Sequence, residues 1–188
     1  MSAKSATSET PGRAWVFGDN LDTDVLAPGR YMKFGIEEIA RPCLESVRPE
    51  FAPGVVAGDV LVAGRNLGMG SSREQAPQAL RQLAISAVIA PSVAGLFFRN
   101  AINLGLCVLV CAEARHINDG DRIEFDAEAG CIFNRTTGQT IACEPIPAHL
   151  LALLNDGGLM PHLEKRLARE RSGRTSGHAT GEKEGTTP

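Results

Sequence analysis

The stretch from Val60 to Arg73 constrains this chain more than any other. Val60-Leu61-Val62-Ala63 is an apolar run too short for a helix and without a polar position, which reads as a buried strand. It runs directly into Gly64-Arg65-Asn66-Leu67-Gly68-Met69-Gly70-Ser71-Ser72-Arg73. From about Ser72 onward, the spacing of Ala76, Leu80, Leu83 and Ala84 is helical. Strand, glycine-rich turn and helix then recur in outline. Ala87–Ala90 reads as a second buried strand, Leu96–Leu104 as a helix ended by Gly105, and Cys107–Cys111 as a third strand. From Asp121 to Glu144 the pattern changes to alternation. Arg122–Asp126, Cys131–Phe133 and Thr140–Cys143 read as antiparallel strands, with Thr137-Gly138 turning the last pair. Trp15-Val16-Phe17 adds a strand before the turn at Gly18-Asp19-Asn20, and Ile36–Leu44 adds a short helix. Pro147–Leu154 reads as a helix with Gly157-Gly158 past its end, and Leu159–Leu167 as a last one. Alternation of strands and helices followed by a β meander predicts an α/β fold with a mixed sheet.

The periodic part spans residues 13–168, enough for one domain, and 43% apolar residues supply its core. Residues 1–12 read as a disordered lead and 169–188 as a disordered tail, because both are polar and lack periodic apolar positions. The lead has no apolar core of the signal-peptide kind, and no apolar run reaches membrane-spanning length, so a cytoplasmic location without membrane contact is expected. A net charge of −3 offers no electrostatic footprint for nucleic acid. The five cysteines are irregularly spaced, with no Cys-x-x-Cys pair. Cys107 and Cys111 lie four strand residues apart, roughly 13 Å, too far to share a metal ion. No metal site is therefore expected in this chain, and His116, His149, His162 and His178 add no ligand spacing.

The glycine-rich turn is the candidate site. Gly64, Gly68 and Gly70 permit a tight backbone and close approach by a ligand. Ser71 and Ser72 are expected at the helix N-terminus, where free N–H groups favour an anion, and Arg73 adds a forked donor suited to a carboxylate or phosphate. Ser-Ser with Glu74 close behind is also an ordinary helix cap, and that reading stands beside the first. A dinucleotide fingerprint is excluded because Arg73 stands where its third glycine belongs, and a phosphate-binding P-loop because Gly-Lys-Ser/Thr is missing.

Five segments in order carry a resemblance. They are Gly18-Asp19-Asn20-Leu21-Asp22-Thr23-Asp24, Pro28-Gly29-Arg30-Tyr31-Met32, Gly58 to Asn66, Gly68-Met69-Gly70-Ser71-Ser72-Arg73-Glu74, and Phe98-Arg99-Asn100-Ala101-Ile102-Asn103 with Gly105-Leu106. Together they resemble the small subunits of 3-isopropylmalate dehydratases and, more broadly, the swivelling domain of the aconitase superfamily. The resemblance runs from about residue 13 to 167. It implies a swivelling β/β/α domain that closes over a separate large subunit carrying a [4Fe–4S] cluster, and so no cofactor in this chain. It implies dehydration and rehydration of a hydroxy di- or tricarboxylic acid. Ser71 would be the catalytic base, Asp24 the catalytic aspartate that positions the proton-transfer network, Arg73 the grip on a substrate carboxylate and Ser72 its helper. The family's box reads Asn-Phe-Gly-Cys-Gly-Ser-Ser-Arg-Glu-His. Leu67, Met69 and Gln75 stand here for its Phe, Cys and His, and the first two keep an apolar wall.

The loop after Pro28-Gly29 is the family's specificity loop, here Tyr31-Met32-Lys33-Phe34-Gly35. Met32 and Phe34 suit the branched tail of isopropylmalate, and hence leucine biosynthesis, whereas Lys33 suits an extra carboxylate. Gly35 replaces the arginine that aconitase carries after a similar Lys-Phe, which weakens a citrate reading. Dimethylmalate, homoaconitate and citrate remain alternatives, as does an anion-binding module without catalysis. The face that meets the large subunit, left open in the isolated chain, favours self-association.

Overall fold

A computed structural model describes residues 6–8 and 10–176. Among them the strands β1 (Gly12–Val16), β2 (Val60–Val62), β3 (Ala87–Ala90), β4 (Cys107–Val110), β5 (Arg122–Asp126), β6 (Cys131–Asn134) and β7 (Gln139–Ala142) form one sheet in the order β4-β3-β2-β1-β5-β6-β7. The first four strands run parallel, with Trp15 opposite Leu61, Leu61 opposite Val88 and Val88 opposite Val108. β5, β6 and β7 form the antiparallel meander and join the parallel half through β1. The α/β fold with a mixed sheet is therefore as expected.

The helices are α1 (Thr23–Leu26), α2 (Ile36–Ala40), α3 (Phe51–Gly54), α4 (Gln75–Gln82), α5 (Gly95–Asn103), α6 (Ala148–Asp156) and α7 (Leu159–Ser176). Alternation along each parallel strand splits the core in two. Trp15, Leu61, Val88 and Val108 face α1 to α5, packing with Leu26, Ile39, Leu80 and Phe97. Val60, Val62, Ile89 and Leu109 face the other way, meeting Leu151 and Leu154 of α6 and the inward residues Ile123, Phe125, Ile132 and Ile141 of the meander. Burial on both sides explains why β2 and β3 read as unbroken apolar runs, and each large apolar side chain so buried contributes roughly 1.5–3 kcal/mol. Phe51 stands edge-on to Trp15 and Phe17 at 5.4 and 5.3 Å between ring centres, which ties the otherwise irregular segment 41–59 to β1.

The ends differ from expectation. α7 runs to Ser176, past Leu167 and into the segment read as tail. As far as Arg171 its turns are rich in Glu, Lys, Arg and Ala, which are strong helix formers, and Arg166 pairs with Glu170 one turn on at 3.1 Å. In the lead, Ala6 is buried, Thr7 bridges Asp126, and Ser8 N–H donates to the Phe125 carbonyl at 3.0 Å, so this segment continues the line of β1 along β5. The rest of the expected lead and tail, residues 1–5, 9 and 177–188, lies outside the described residues.

Two carboxylates hold β1 in place. Asp59 is 4% exposed and accepts from Trp15 Nε1 at 2.9 Å, Arg13 N–H at 3.0 Å and Val56 N–H at 3.0 Å. Asp59→Ala strands three donors in a dry environment. The expected loss is about 3 kcal/mol, a fall in Tm of roughly 10 °C, readable by thermal melting. Asp119 accepts from both terminal nitrogens of Arg48 at 2.5 and 3.0 Å and from Val16 N–H at 3.0 Å. The Arg48 guanidinium holds the Asp119 carboxyl at about 2, below its ordinary 3.8. A carboxyl depressed on folding stabilises the protein above its ordinary value and loses that contribution as pH falls toward the depressed one. Urea melts of wild type and Asp119→Ala should therefore differ at pH 7, start to approach each other only below about pH 4, and converge near pH 2.

Candidate active site

Three loops leave the carboxyl ends of β1, β2 and β3, the edge where open α/β sheets place ligands. The loop after β2 is laced between the other two by backbone bonds. On one side Gly64 N–H donates to Gly18 O at 3.0 Å, Gly68 N–H to Leu21 O at 2.7 Å, and Thr23 N–H to Met69 O at 2.9 Å. On the other, Leu67 N–H donates to Ser92 O at 3.1 Å and Ala94 N–H to Leu67 O at 2.8 Å. Side chains complete the lacing. Asp19 accepts from Arg65 N–H at 2.7 Å, Ser92 Oγ from Asn66 N–H at 2.8 Å, and Asn66 Nδ2 donates to Asn20 Oδ1 at 2.9 Å. Gly68 has φ +73°, and a Cβ there would lie 2.3 Å from Cγ of Phe97. Gly70, at φ +103°, bends the chain past Thr23.

Ser71 and Ser72 do not cap the helix. α4 begins only at Gln75, Glu74 flanks it, and no side chain caps it. The chain before it is held elsewhere. Asn100 Nδ2 of α5 donates to the Ser72 carbonyl at 3.2 Å, and Ser71 N–H donates to Thr23 Oγ1 at 3.1 Å. The Ser71 hydroxyl lies 2.9 Å from that same Thr23 Oγ1. Arg73 Nη1 donates to Asp24 Oδ1 and, at 2.9 Å, to the Ala27 carbonyl, while its Nε and Nη2 make no hydrogen bond within the described residues. The arrangement presents an exposed hydroxyl beside a guanidinium that is anchored on one side and free on the other, which suits an anionic ligand.

Ser71, Ser72, Arg73 and Asp24 are thus gathered at one place. Lys33 and Phe34 are exposed, and Lys33 Nζ lies 5.2 Å from the Phe34 ring centre. Met32 is half-buried and packs on the helix-side core. None of the three makes a hydrogen bond, ion pair or ring contact to Ser71 or Arg73 among the described residues. Leu67 is fully buried, whereas Met69 is 43% exposed, so only the first forms an inner wall. Sequence reasoning missed Thr23 and Asn100. Thr23 sits between two aspartates in what reads as a turn, and no spacing links it to Ser71, 48 residues away.

A hollow of about 450 Å³ lies between Asp19, Arg65 and Arg115, and none of the four gathered residues lines it. Among the described residues no group of three His, Cys, Asp or Glu side chains is placed to hold a metal ion. Burial pushes the thiols of Cys43 and Cys107 far up and, as the largest cause, that of Cys143 up to about 12. With no such grouping, the described residues do not fit an iron–sulfur cluster.

Residues 56–114, which hold β2, the laced loop, α4, β3 and β4, match the aconitase C-terminal domain. The small subunit 1 of 3-isopropylmalate dehydratase from Archaeoglobus fulgidus is 52% identical over 150 residues, covering 79% of this chain and 93% of that one. The chain belongs to the 3-isopropylmalate dehydratase small-subunit family. A methanogen homoaconitase small subunit from Methanothermobacter thermautotrophicus is 47% identical, covering 83% of this chain and 91% of the other. A crystal structure of 3-isopropylmalate dehydratase from Methanocaldococcus jannaschii superposes with a TM-score of 0.82 at 40% identity, covering 87% of this chain and 98% of its own. The seven-stranded sheet with its helices is therefore the architecture of this family.

The lacing makes Gly68 sensitive. Gly68→Ala combines a positive φ with a clash against Phe97 and should cost about 2 kcal/mol or more. An unchanged Tm together with an undisturbed Ser71 in a crystal structure of the variant would contradict this account of the loop.

Proposed function

We propose that this chain is the small subunit of a cytoplasmic hydro-lyase that interconverts 3-isopropylmalate and 2-isopropylmalate in leucine biosynthesis, working only with a large subunit. The observation that carries the reading is the pairing of an exposed Ser71 hydroxyl, held by Thr23, with a half-satisfied Arg73. Family membership and the relatives' names support it.

In this reading the free Nε and Nη2 of Arg73 bind a substrate carboxylate, and Asp24 orients the guanidinium through Nη1. Ser72 stands beside Arg73 to assist. Ser71 Oγ removes the proton from the carbon next to a carboxylate, and donors around it stabilise its alkoxide form. The departing hydroxyl needs a Lewis acid, which a [4Fe–4S] cluster on the large subunit would supply. Among the described residues no group of three His, Cys, Asp or Glu side chains fits that task, and Asp24 lines an open hollow of about 330 Å³ together with Asp22, Pro28 and Arg30. Phe34 offers apolar surface to a branched tail.

A tricarboxylic, homoaconitate-type substrate is the second reading. Exposed Lys33 supplies a cation for an extra carboxylate, and a homoaconitase small subunit is among the close relatives. The deciding experiment mixes the chain with its reconstituted, anaerobic large subunit and follows alkene absorbance from isopropylmalate, dimethylmalate, homocitrate and citrate. Turnover of isopropylmalate is expected, with Ser71→Ala lowering kcat by about 10³-fold or more. A preference for homocitrate selects the second reading, and no turnover with an intact cluster sinks both.

A further inference from the structure

We propose that Thr23 is the positioning residue for Ser71, clamping its backbone and donating its hydroxyl proton to Ser71 Oγ when that oxygen carries negative charge. The inference rests on the reading of Ser71 as the base.

A hydroxyl has one proton to donate and two lone pairs to accept with. Thr23 Oγ1 uses a lone pair for Ser71 N–H at 3.1 Å. Its own proton is left, and the acceptor within reach is Ser71 Oγ at 2.9 Å. One oxygen thus engages both the main chain and the side chain of Ser71, which sets its position and its rotamer together. Thr23 is itself immobilised. It is 1% exposed, its N–H is tied to Met69 O at 2.9 Å, and its carbonyl accepts Ala27 N–H at 3.0 Å. Its branched Cβ further restricts the hydroxyl's direction. The laced loop is bent around this oxygen, since a Cβ on Gly70 would sit 3.3 Å from it. The base is exposed and its support buried, so substrate reaches Ser71 without displacing Thr23.

The chemistry uses this asymmetry. In dehydration the C–H bond breaks and its proton joins Ser71 Oγ. The freed electron pair becomes the second bond of the alkene, and the C–O bond breaks with its pair leaving on the hydroxyl. Ser71 therefore enters the step as an alkoxide and leaves it as a hydroxyl. A hydrogen bond from Thr23 is stronger to the alkoxide than to the hydroxyl, so it lowers the energy of the form that does the work. In hydration Ser71 returns the proton to carbon, and Thr23 receives the alkoxide that results.

The test uses the complete enzyme, small and large subunits with cluster, and compares Thr23→Val with Thr23→Ser. Loss of one preorganised donor to a developing charge costs about 10²-fold in kcat. Thr23→Val is expected to lose about that much with KM changed by less than about twofold, because substrate contacts are elsewhere. It should also show a larger deuterium isotope effect with substrate labelled at the carbon that gives up its proton. Thr23→Ser keeps the hydroxyl and should recover kcat to within about fivefold of wild type. The proposal is overturned if Thr23→Val keeps wild-type kcat, if Thr23→Ser is as poor as Thr23→Val, or if KM rises in step with the loss. Should Thr23→Val fail to fold, Thr23→Ala gives the same reading, and failure of both assigns Thr23 a structural role and ends the proposal. Ser71→Ala in the same assay separates the two ideas. Full activity in Ser71→Ala removes the base itself, whereas an inactive Ser71→Ala beside a normal Thr23→Val removes only Thr23.

Discussion

Phe97 lies so close beneath Gly68 that no other residue fits there without displacement, and the placement of Ser71 and Arg73 follows from that contact. The loop after β2 must pass between the loops after β1 and β3, and it does so by exchanging backbone hydrogen bonds with both. Each such bond is worth little net, but together they leave the loop one path. Asn20 and Asn66, both in the left-handed region at φ 61° and 62°, make the turns that keep these bonds in register and bond to each other across the gap. Once the loop is seated, Gly70 turns it over Thr23, Asn100 takes the Ser72 carbonyl, and Arg73 falls against Asp24 and the Ala27 carbonyl.

The two halves of the sheet have different duties. The parallel half is buried on both faces and delivers three loops to one edge, which concentrates the chemistry-bearing side chains. The meander bears none of them and buries its inward residues against the face opposite α1 to α5. Asp59 and Asp119 sit where β1 joins the halves, and both satisfy its donors, so the strand that launches the Thr23 loop is anchored by charge-assisted bonds as well as by packing.

Electrostatically the site is half-finished. Arg73 is neutralised on one side by Asp24 and open on the other, and the Ser71 hydroxyl is exposed above a buried partner. In the separate chain such groups stand in water, where a guanidinium–carboxylate attraction is weak. Exclusion of water by a second chain, as proposed above, would strengthen it.

Local pattern carried much of the outcome in this protein. Unbroken apolar runs at Val60–Ala63 and Ala87–Ala90 named buried strands, alternation from Arg122 to Cys143 named the meander, and three glycines before Ser71 marked a close-approach turn, because each signal is a property of neighbouring residues. Local pattern misled where α7 runs on past Leu167 to Ser176, and where Ser71-Ser72 looked like a cap. The pairing of Thr23 with Ser71, of Asn100 with Ser72 and of Asp24 with Arg73 joins positions 48, 28 and 49 residues apart. No periodicity encodes such contacts. They exist because three loops from parallel strands converge on one edge of the sheet, and only the tertiary structure decides which side chains then meet.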